Sequence, residues 1–104
     1  MDSNEISFNE KMFEIYKLAK KECNYNATRF LQMLNEYGGI NTAKKLLASD
    51  DLQYGFVELW QCGCLHLTVE ALVLEPEFKD LFTYIERKRA RSRIIAYDPE
   101  FFKK

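Results

Sequence analysis

The fold of this chain is decided between Asn26 and Arg93, where the sequence reads NATRFLQMLNEYGGINTAKKLLASDDLQYGFVELWQCGCLHLTVEALVLEPEFKDLFTYIERKRARSR. Apolar residues recur there every three or four positions, which is the spacing that places them on one face of an α-helix. Glycines and polar capping residues separate the apolar groups at short intervals, as they do between helices. No stretch of useful length alternates between apolar and polar residues, so the pattern predicts an all-α fold.

The same spacing predicts a compact bundle of five or six short helices in a single domain over residues 1–104. The first helix is predicted to begin at Ser7, because Ser7 and Glu10 have the spacing of a capping box. Gly38-Gly39 is predicted to end the second helix, and Gly63 the fourth. The helices are expected near residues 7–23, 27–37, 42–48, 53–62, 69–75 and 84–96, with N-caps at Asn24 or Asn26, Asn41, Thr68 and Thr83.

The composition is sufficient to build one core. The chain is 47% hydrophobic and contains eight Phe, six Tyr and one Trp, which is enough apolar material without disulfide bonds. The predicted core consists of large apolar side chains from successive helices: Phe30, Leu31, Leu34, Leu47, Phe56, Leu59, Trp60, Leu72 and Phe82.

Residues 25–83 resemble a small helical domain that recurs in bacterial proteins, both alone and appended to larger chains. The resemblance is carried by YNATRFLQM at 25–33, GG at 38–39, AK at 43–44, LLAS at 46–49, GF at 55–56, LW at 59–60, Gly63, LTVEALVLEP at 67–76 and LFT at 81–83. It implies an α-helical accessory domain and no particular reaction. An N-terminal helix (1–24) and a basic C-terminal helix and tail (84–104) flank this family-like core. The chain departs from the family pattern at Cys64 and His66, where a basic and an acidic residue are more usual.

The charge is divided unevenly along the chain. Residues 1–85 contain eight Lys or Arg against 13 Asp or Glu, whereas residues 86–104 contain seven Lys or Arg against three Asp or Glu. The basic run Arg87, Lys88, Arg89, Arg91 and Arg93 is therefore a candidate nucleic-acid contact, through phosphate neutralisation. The other interpretation is that the basic helix pairs with the acidic body of the same molecule.

The location of the protein is expected to be cytoplasmic. The N-terminus lacks the charged start and apolar run of a signal peptide, and no apolar stretch has the length of a membrane span. The three cysteines are an odd number without a disulfide framework, which favours a reducing compartment.

Cys62, Cys64 and His66 form the one sequence cluster with ligand chemistry, since thiolates and imidazole suit zinc and Cys23 can supply a fourth ligand. The same residues offer a thiol nucleophile beside a base, although no orienting group or oxyanion donor is marked in the sequence. The simpler interpretation is two half-buried thiols beside a turn histidine. Because C-x-C-x-H is not a common zinc spacing, the sequence predicts no metal, cofactor or catalytic residue, and leaves metal binding open at this cluster.

These observations predict a non-enzymatic accessory or interaction module that binds a protein partner or a second copy of itself. The N-terminal helix and the Phe101-Phe102 tail are expected to supply the apolar contact surface. The alternative is a nucleic-acid-associated accessory protein that uses the basic C-terminal helix. No membrane partner is expected.

Overall fold

The computed structural model describes residues 2–50 and 55–103. Those residues form six α-helices: α1 Ser3–Cys23, α2 Thr28–Tyr37, α3 Gly39–Ala48, α4 Phe56–Gln61, α5 Val69–Val73 and α6 Tyr84–Tyr97. Three short 3₁₀ helices lie at Leu65–Leu67, Pro76–Leu81 and Phe101–Lys103. The described ranges contain no strand, which confirms the all-α class. The predicted count of five or six helices is too low, because connections that lack a helical apolar repeat still wind into 3₁₀ turns.

The first helix begins earlier than the capping-box spacing predicts. Asp2 is its N-cap, and the Asp2 carboxylate accepts a hydrogen bond of 2.8 Å from the backbone N–H of Asn4. Ser7 therefore lies inside α1, and the prediction that it begins the helix is wrong. The first turn has no buried residue, so no apolar repeat marks it in the sequence. The inner face of α1 consists of apolar residues three or four positions apart: Phe8, Met12, Ile15 and Ala19 are buried.

A single residue, Gly38, separates α2 from α3. Its φ of 80° lies in the left-handed region, which glycine enters without steric cost. Gly39 already belongs to α3 and packs so closely on α1 that a Cβ atom there would lie 2.9 Å from the Cα of Asn9. Asn41 is consequently not the N-cap that the sequence predicts. It lies in the first turn of α3, where its side-chain amide donates to the carbonyl of Tyr37 at 3.3 Å.

The later caps are confirmed. The Thr68 hydroxyl caps α5 by accepting from the backbone N–H of Ala71 at 3.2 Å, and Thr83 and Glu86 form a complete capping box at the start of α6. The predicted start of the fourth helix at residue 53 falls outside the described residues, and the part of α4 that is described begins at Phe56.

The core joins the two halves of the chain. The ring of Phe8 packs against those of Phe78 and Phe82, each with its centroid 5.1 Å away. Most of the predicted core residues are buried: Phe30, Leu34, Leu47, Phe56, Leu59, Leu72 and Phe82. The Cα radius of gyration, 12.7 Å, is that of a compact globule, for which about 13 Å is expected at 100 residues.

Trp60 and Leu31 correct the predicted core. Trp60 is 40% exposed, because Phe56 and Leu59 already occupy the inner face of the short helix α4. Its indole lies at the surface with its ring centroid 5.1 Å from that of Tyr97. Leu31 is half-buried at the edge of the core rather than inside it.

Candidate interaction surface on the last helix

Helix α6 presents two opposite faces. Ala90 and Ile94 are fully buried on its inner face, where α6 packs against α5 and α3. The 100° rotation per residue places a different set of side chains on the opposite face. We call this set the outer stripe, and it consists of Tyr84, Ile85, Lys88, Ser92 and Ile95, all of which are exposed.

Two large apolar side chains at the start of the outer stripe project into solvent. Tyr84 is 75% exposed and Ile85 is 71% exposed, more than any other large hydrophobic residue in the described part of the chain. Ile95, in the last turn of the helix, is 37% exposed. Isolated apolar residues at a surface are common, but an adjacent pair of this size exposed so fully is a usual mark of a contact surface.

The capping box fixes the rotation of α6 and thereby the direction of this pair. The backbone N–H of Thr83 donates to Glu86 Oε1 at 2.8 Å, and the backbone N–H of Glu86 donates to Thr83 Oγ1 at 3.1 Å. Glu86 also accepts a hydrogen bond of 2.8 Å from Lys44 of α3. Because Glu86 is held against the body and Ala90 lies in the core, the rotation of α6 is fixed. Tyr84 and Ile85 therefore point outward.

The partners of Glu86 also determine the protonation state of its carboxyl group. Burial by itself would raise the pKa of this carboxyl group. The hydrogen bonds from Lys44 and from Thr83, with the nearby positive charge of Lys44, outweigh burial and lower the pKa below its ordinary value. Glu86 is therefore ionised at neutral pH and remains an acceptor for both partners.

Arg93, the last member of the basic run, is bound to the body of its own molecule. Its Nη1 donates to Glu70 Oε2 and to the carbonyl of Leu46, both at 3.0 Å. Its Nη2 donates to the carbonyls of Leu47, at 3.2 Å, and of Ser49. The last carbonyls of an α-helix lack partners within the helix, so this guanidinium caps the C-terminal end of α3.

Arg89 makes a second, more exposed contact of the same kind. Its Nη2 lies 2.6 Å from Asp50 Oδ1, and its Nη1 donates to the carbonyl of Ala48 at 3.3 Å. Positive charge at the C-terminal end of α3 also complements the dipole of that helix. The basic run is thus divided, with Arg89 and Arg93 directed toward the acidic body.

The other three basic residues lie along the opposite flank of α6 and the outer stripe. Lys88 is exposed and Arg87 is half-buried. The guanidinium of Arg91 lies 4.4 Å from the ring centroid of Phe102, in a cation–π contact. Among the carboxylates that the structure describes, none is within ion-pair distance of these three residues. The charges of Lys88 and Arg91, which are both exposed, accordingly face solvent beside Tyr84 and Ile85, whereas the Nε atom of Arg87 is buried.

The core takes up part of both surfaces expected from the sequence. The N-terminal helix packs into the core along the face that Phe8 and Met12 begin, and it contacts α2, α3 and α5. Phe101 packs against the edge of the core, which leaves Phe102, 37% exposed, as the outward residue of the tail. The outer stripe was not predicted, because Tyr84 and Ile85 fit the apolar spacing of a buried face as well as that of an exposed one.

The structure brings all three cysteines together. The end of α1 lies beside the turn after α4, so the Cys62 thiol donates to the carbonyl of Cys23 at 3.8 Å, and the Cys64 thiol donates to the carbonyl of Cys62 at 3.7 Å. Burial, together with hydrogen bonds to the thiols of Cys62 and Cys64, raises the pKa of the Cys23 thiol. His66 and Glu22 are exposed at the margin of this group, and Glu22 is a member that sequence reasoning missed.

No protein-family model matches the chain, and the comparisons with curated proteins and with solved structures give no match. The likeness of residues 25–83 to a recurrent bacterial helical domain stays a prediction. In the residues that the structure describes, no helix combines the length and apolar character that a membrane crossing requires.

Proposed function

We propose that this protein is a non-enzymatic accessory module that binds an acidic, partly apolar surface of a partner protein through the outer stripe of α6. The observation that carries the proposal is the exposure of Tyr84 and Ile85, at 75% and 71%. Removing apolar surface from water contributes free energy roughly in proportion to its area, at about 25 cal/mol per Å². Tyr84 and Ile85 are the two most exposed large hydrophobic residues on the described surface.

The chemistry of the stripe matches the composition of protein interfaces. Their buried centres are enriched in aromatic residues, and hot-spot residues are often Tyr or Arg surrounded by a polar rim. Tyr84 and Ile85 form an apolar centre of this kind, and Lys88 and Arg91 lie on its rim. These cations have no carboxylate partner among the described residues, so an acidic partner surface complements them and accelerates encounter.

The proposal includes a cytoplasmic location for the protein. Cys23, Cys62 and Cys64 are all free thiols although they lie together, which agrees with a reducing compartment.

Nucleic-acid binding remains the second candidate, on a smaller set of residues. Arg87, Lys88 and Arg91 form one continuous basic flank, whereas Arg89 and Arg93 are already engaged by the body. Three phosphate contacts give a salt slope of about −3 in a plot of log K against log salt, instead of about −4.5 for five. Apolar Tyr84 and Ile85 contribute little to backbone phosphates, so the stripe as a whole favours a protein.

The experiment is photo-cross-linking followed by reconstitution. A photoreactive amino acid at Ile85 is expected to capture a protein from nuclease-treated extract of the source cells, and the same amino acid at Ile6 serves as the matched control. Ile6 is also apolar and 45% exposed but lies on α1. The captured partner is then purified, and its affinity for the protein is measured directly.

Ile85→Asp is expected to weaken that affinity by about tenfold or more, which corresponds to about 1.4 kcal/mol. Lys88→Glu is expected to weaken the affinity more at low salt than at high salt, while Ile6→Asp leaves the affinity unchanged. Sedimentation of the protein alone tests whether the outer stripe binds a second copy of the protein instead of a different partner. A dimer that Ile85→Asp dissociates would assign the stripe to self-association. Equal loss of affinity in the Ile6 and Ile85 variants would overturn the proposal. Salt-dependent DNA or RNA binding that Ile85→Asp leaves intact would favour the second candidate.

A further inference from the structure

The region where α1 ends and the 3₁₀ helix Leu65–Leu67 begins concentrates metal-ligating side chains from distant parts of the sequence. The carboxylate of Glu22, the thiol of Cys64 and the imidazole of His66 all have a ligand atom within 4.8 Å of the others. The Cys23 thiol lies outside this 4.8 Å group but is hydrogen-bonded to the thiols of Cys62 and Cys64. Cys64 is thus the centre of a group that contains two sulfurs, one imidazole and one carboxylate.

We propose that Cys23, Cys64, His66 and Glu22 form a binding site for a single Zn²⁺ ion. Zinc in proteins takes four ligands in a tetrahedron, with Zn–S of about 2.3 Å and Zn–N of about 2.0 Å, which places ligand atoms roughly 3.5 Å apart. The spacing of Glu22, Cys64 and His66 exceeds this by about 1 Å at most. Glu22 and His66 are exposed, so rotation of their side chains can close the gap without movement of the backbone.

The ligand types select the metal. Two thiolates and an imidazole favour zinc over the hard cations Mg²⁺ and Ca²⁺, which prefer an all-oxygen set. The buried and half-buried sulfurs of Cys64 and Cys23 provide a closed inner side, and the exposed side chains of His66 and Glu22 provide an entry path. Such an asymmetric site is accessible to a metal without unfolding of the protein.

The proposed zinc site lies at the C-terminal end of a helix, where the electrostatic field favours a cation. Glu22 and Cys23 are the last two residues of α1, a helix of 21 residues. The carbonyl groups of its final turn carry partial negative charge, which stabilises a nearby cation. Zinc at this point would tie the C-terminal end of α1 to the turn that follows α4, two segments about 40 residues apart in sequence.

The test is titration of the reduced, metal-free protein with Co²⁺, which reports tetrahedral thiolate ligation by its visible d–d bands and a sulfur-to-cobalt charge-transfer band. Saturation is expected at one equivalent, and added Zn²⁺ is expected to displace the cobalt and remove the bands. His66→Asn and Glu22→Gln change exposed side chains and keep the fold. Each is expected to weaken Co²⁺ binding by about tenfold or more, because loss of even an indirect support of a ligand has that effect.

Cys62→Ser is the matched control, since it removes a neighbouring thiol that is not among the four proposed ligands. It is expected to retain one equivalent of Co²⁺ with affinity close to that of the unchanged protein. Cys64→Ser removes one of the two proposed thiolates and is expected to weaken the charge-transfer band, and its circular dichroism shows whether the fold is kept. Absence of tetrahedral bands in the reduced protein would overturn the proposal, as would binding that His66→Asn and Glu22→Gln leave intact.

Discussion

Arg93 of α6 lies 3.0 Å from the carboxylate of Glu70 in α5, and the Glu70 side chain is completely buried. A buried carboxylate is costly unless a cation and hydrogen bonds satisfy it. The same guanidinium donates to the last carbonyls of α3, so one side chain connects three helices. This relationship gives Arg93, a residue that resembles a nucleic-acid contact in sequence, a role in holding the fold.

Loss of Arg93 is therefore expected to be severely destabilising. Arg93→Met removes the ion pair of the buried Glu70 carboxylate with this guanidinium and also the cap of α3, which predicts a loss of about 3–5 kcal/mol in the free energy of unfolding. Arg89→Met is the matched control, because its ion pair with Asp50 is exposed and contributes about 0–1 kcal/mol. Urea denaturation of both variants measures the difference. Equal losses in the two variants would show that Glu70 does not depend on Arg93.

Thr68 is expected to matter more than its size indicates. Its buried hydroxyl accepts from the backbone N–H of Ala71 at 3.2 Å and donates to the carbonyl of Leu65 at 2.7 Å. Thr68→Val keeps the volume but leaves the backbone N–H of Ala71 without its acceptor, while the Leu65 carbonyl still accepts from the backbone N–H of residue 68. N-cap losses cost about 1–2 kcal/mol. Thermal unfolding by circular dichroism checks this expectation. A variant as stable as the unchanged protein would mean that α5 does not need its cap.

The ion pair between Glu86 and Lys44 predicts a pH dependence of stability. The pKa of Glu86 is lower in the folded state than the ordinary value of 4.5. The contribution of Glu86 is therefore complete above pH 4.5 and is lost as the pH falls through the lower folded pKa. Glu86→Gln removes this titration, so its stability is expected to decline less steeply with acidification below pH 4.5. Denaturation curves measured at several acidic pH values test this, and parallel declines for the two proteins would contradict it.

Contact between α1 and α3 is expected to require glycine at position 39. An added Cβ would lie 2.9 Å from the Cα of Asn9, and backbone atoms cannot rotate away. Gly39→Ala thus forces the two helices apart and is expected to cost about 1–3 kcal/mol, as overpacking does in other cores. The control is Asn41→Ala in the same helix, an exposed change expected to fall within about 0.5 kcal/mol. Chemical denaturation compares the two, and a neutral Gly39→Ala would show that the helices have room to separate.

Local signals in the sequence predicted where helices form better than they predicted what surrounds each helix in the folded protein. Thr68 and Thr83 were recognisable as caps because a cap depends on residues within one turn of the chain. The start of α1 was not recognisable, since its first turn is exposed and carries no apolar repeat. Trp60 shows the same limit for the core. Apolar spacing identifies the residues that can be buried, but tertiary packing decides which of them are.

The candidate sites depended still more on tertiary packing. The division of the basic run into docked and exposed arginines follows from where α3 ends, which α6 alone does not reveal. Cys23 was recognised as a candidate fourth ligand on chemical type, whereas Glu22 joins the group only because the end of α1 lies beside residues 62–66. Contacts between residues about 40 positions apart have no local signature.

The cap that Arg93 places on α3 also constrains how the molecule is made. While the ribosome is still adding the last helix, the carboxylate of Glu70 and the final carbonyls of α3 lack their guanidinium. The ring of Phe8 likewise lacks its packing partners until Phe78 and Phe82 emerge, some 70 residues later. The interior is therefore complete only after Arg93 has emerged from the ribosome, and products truncated before Arg93 are expected to be cleared by proteases.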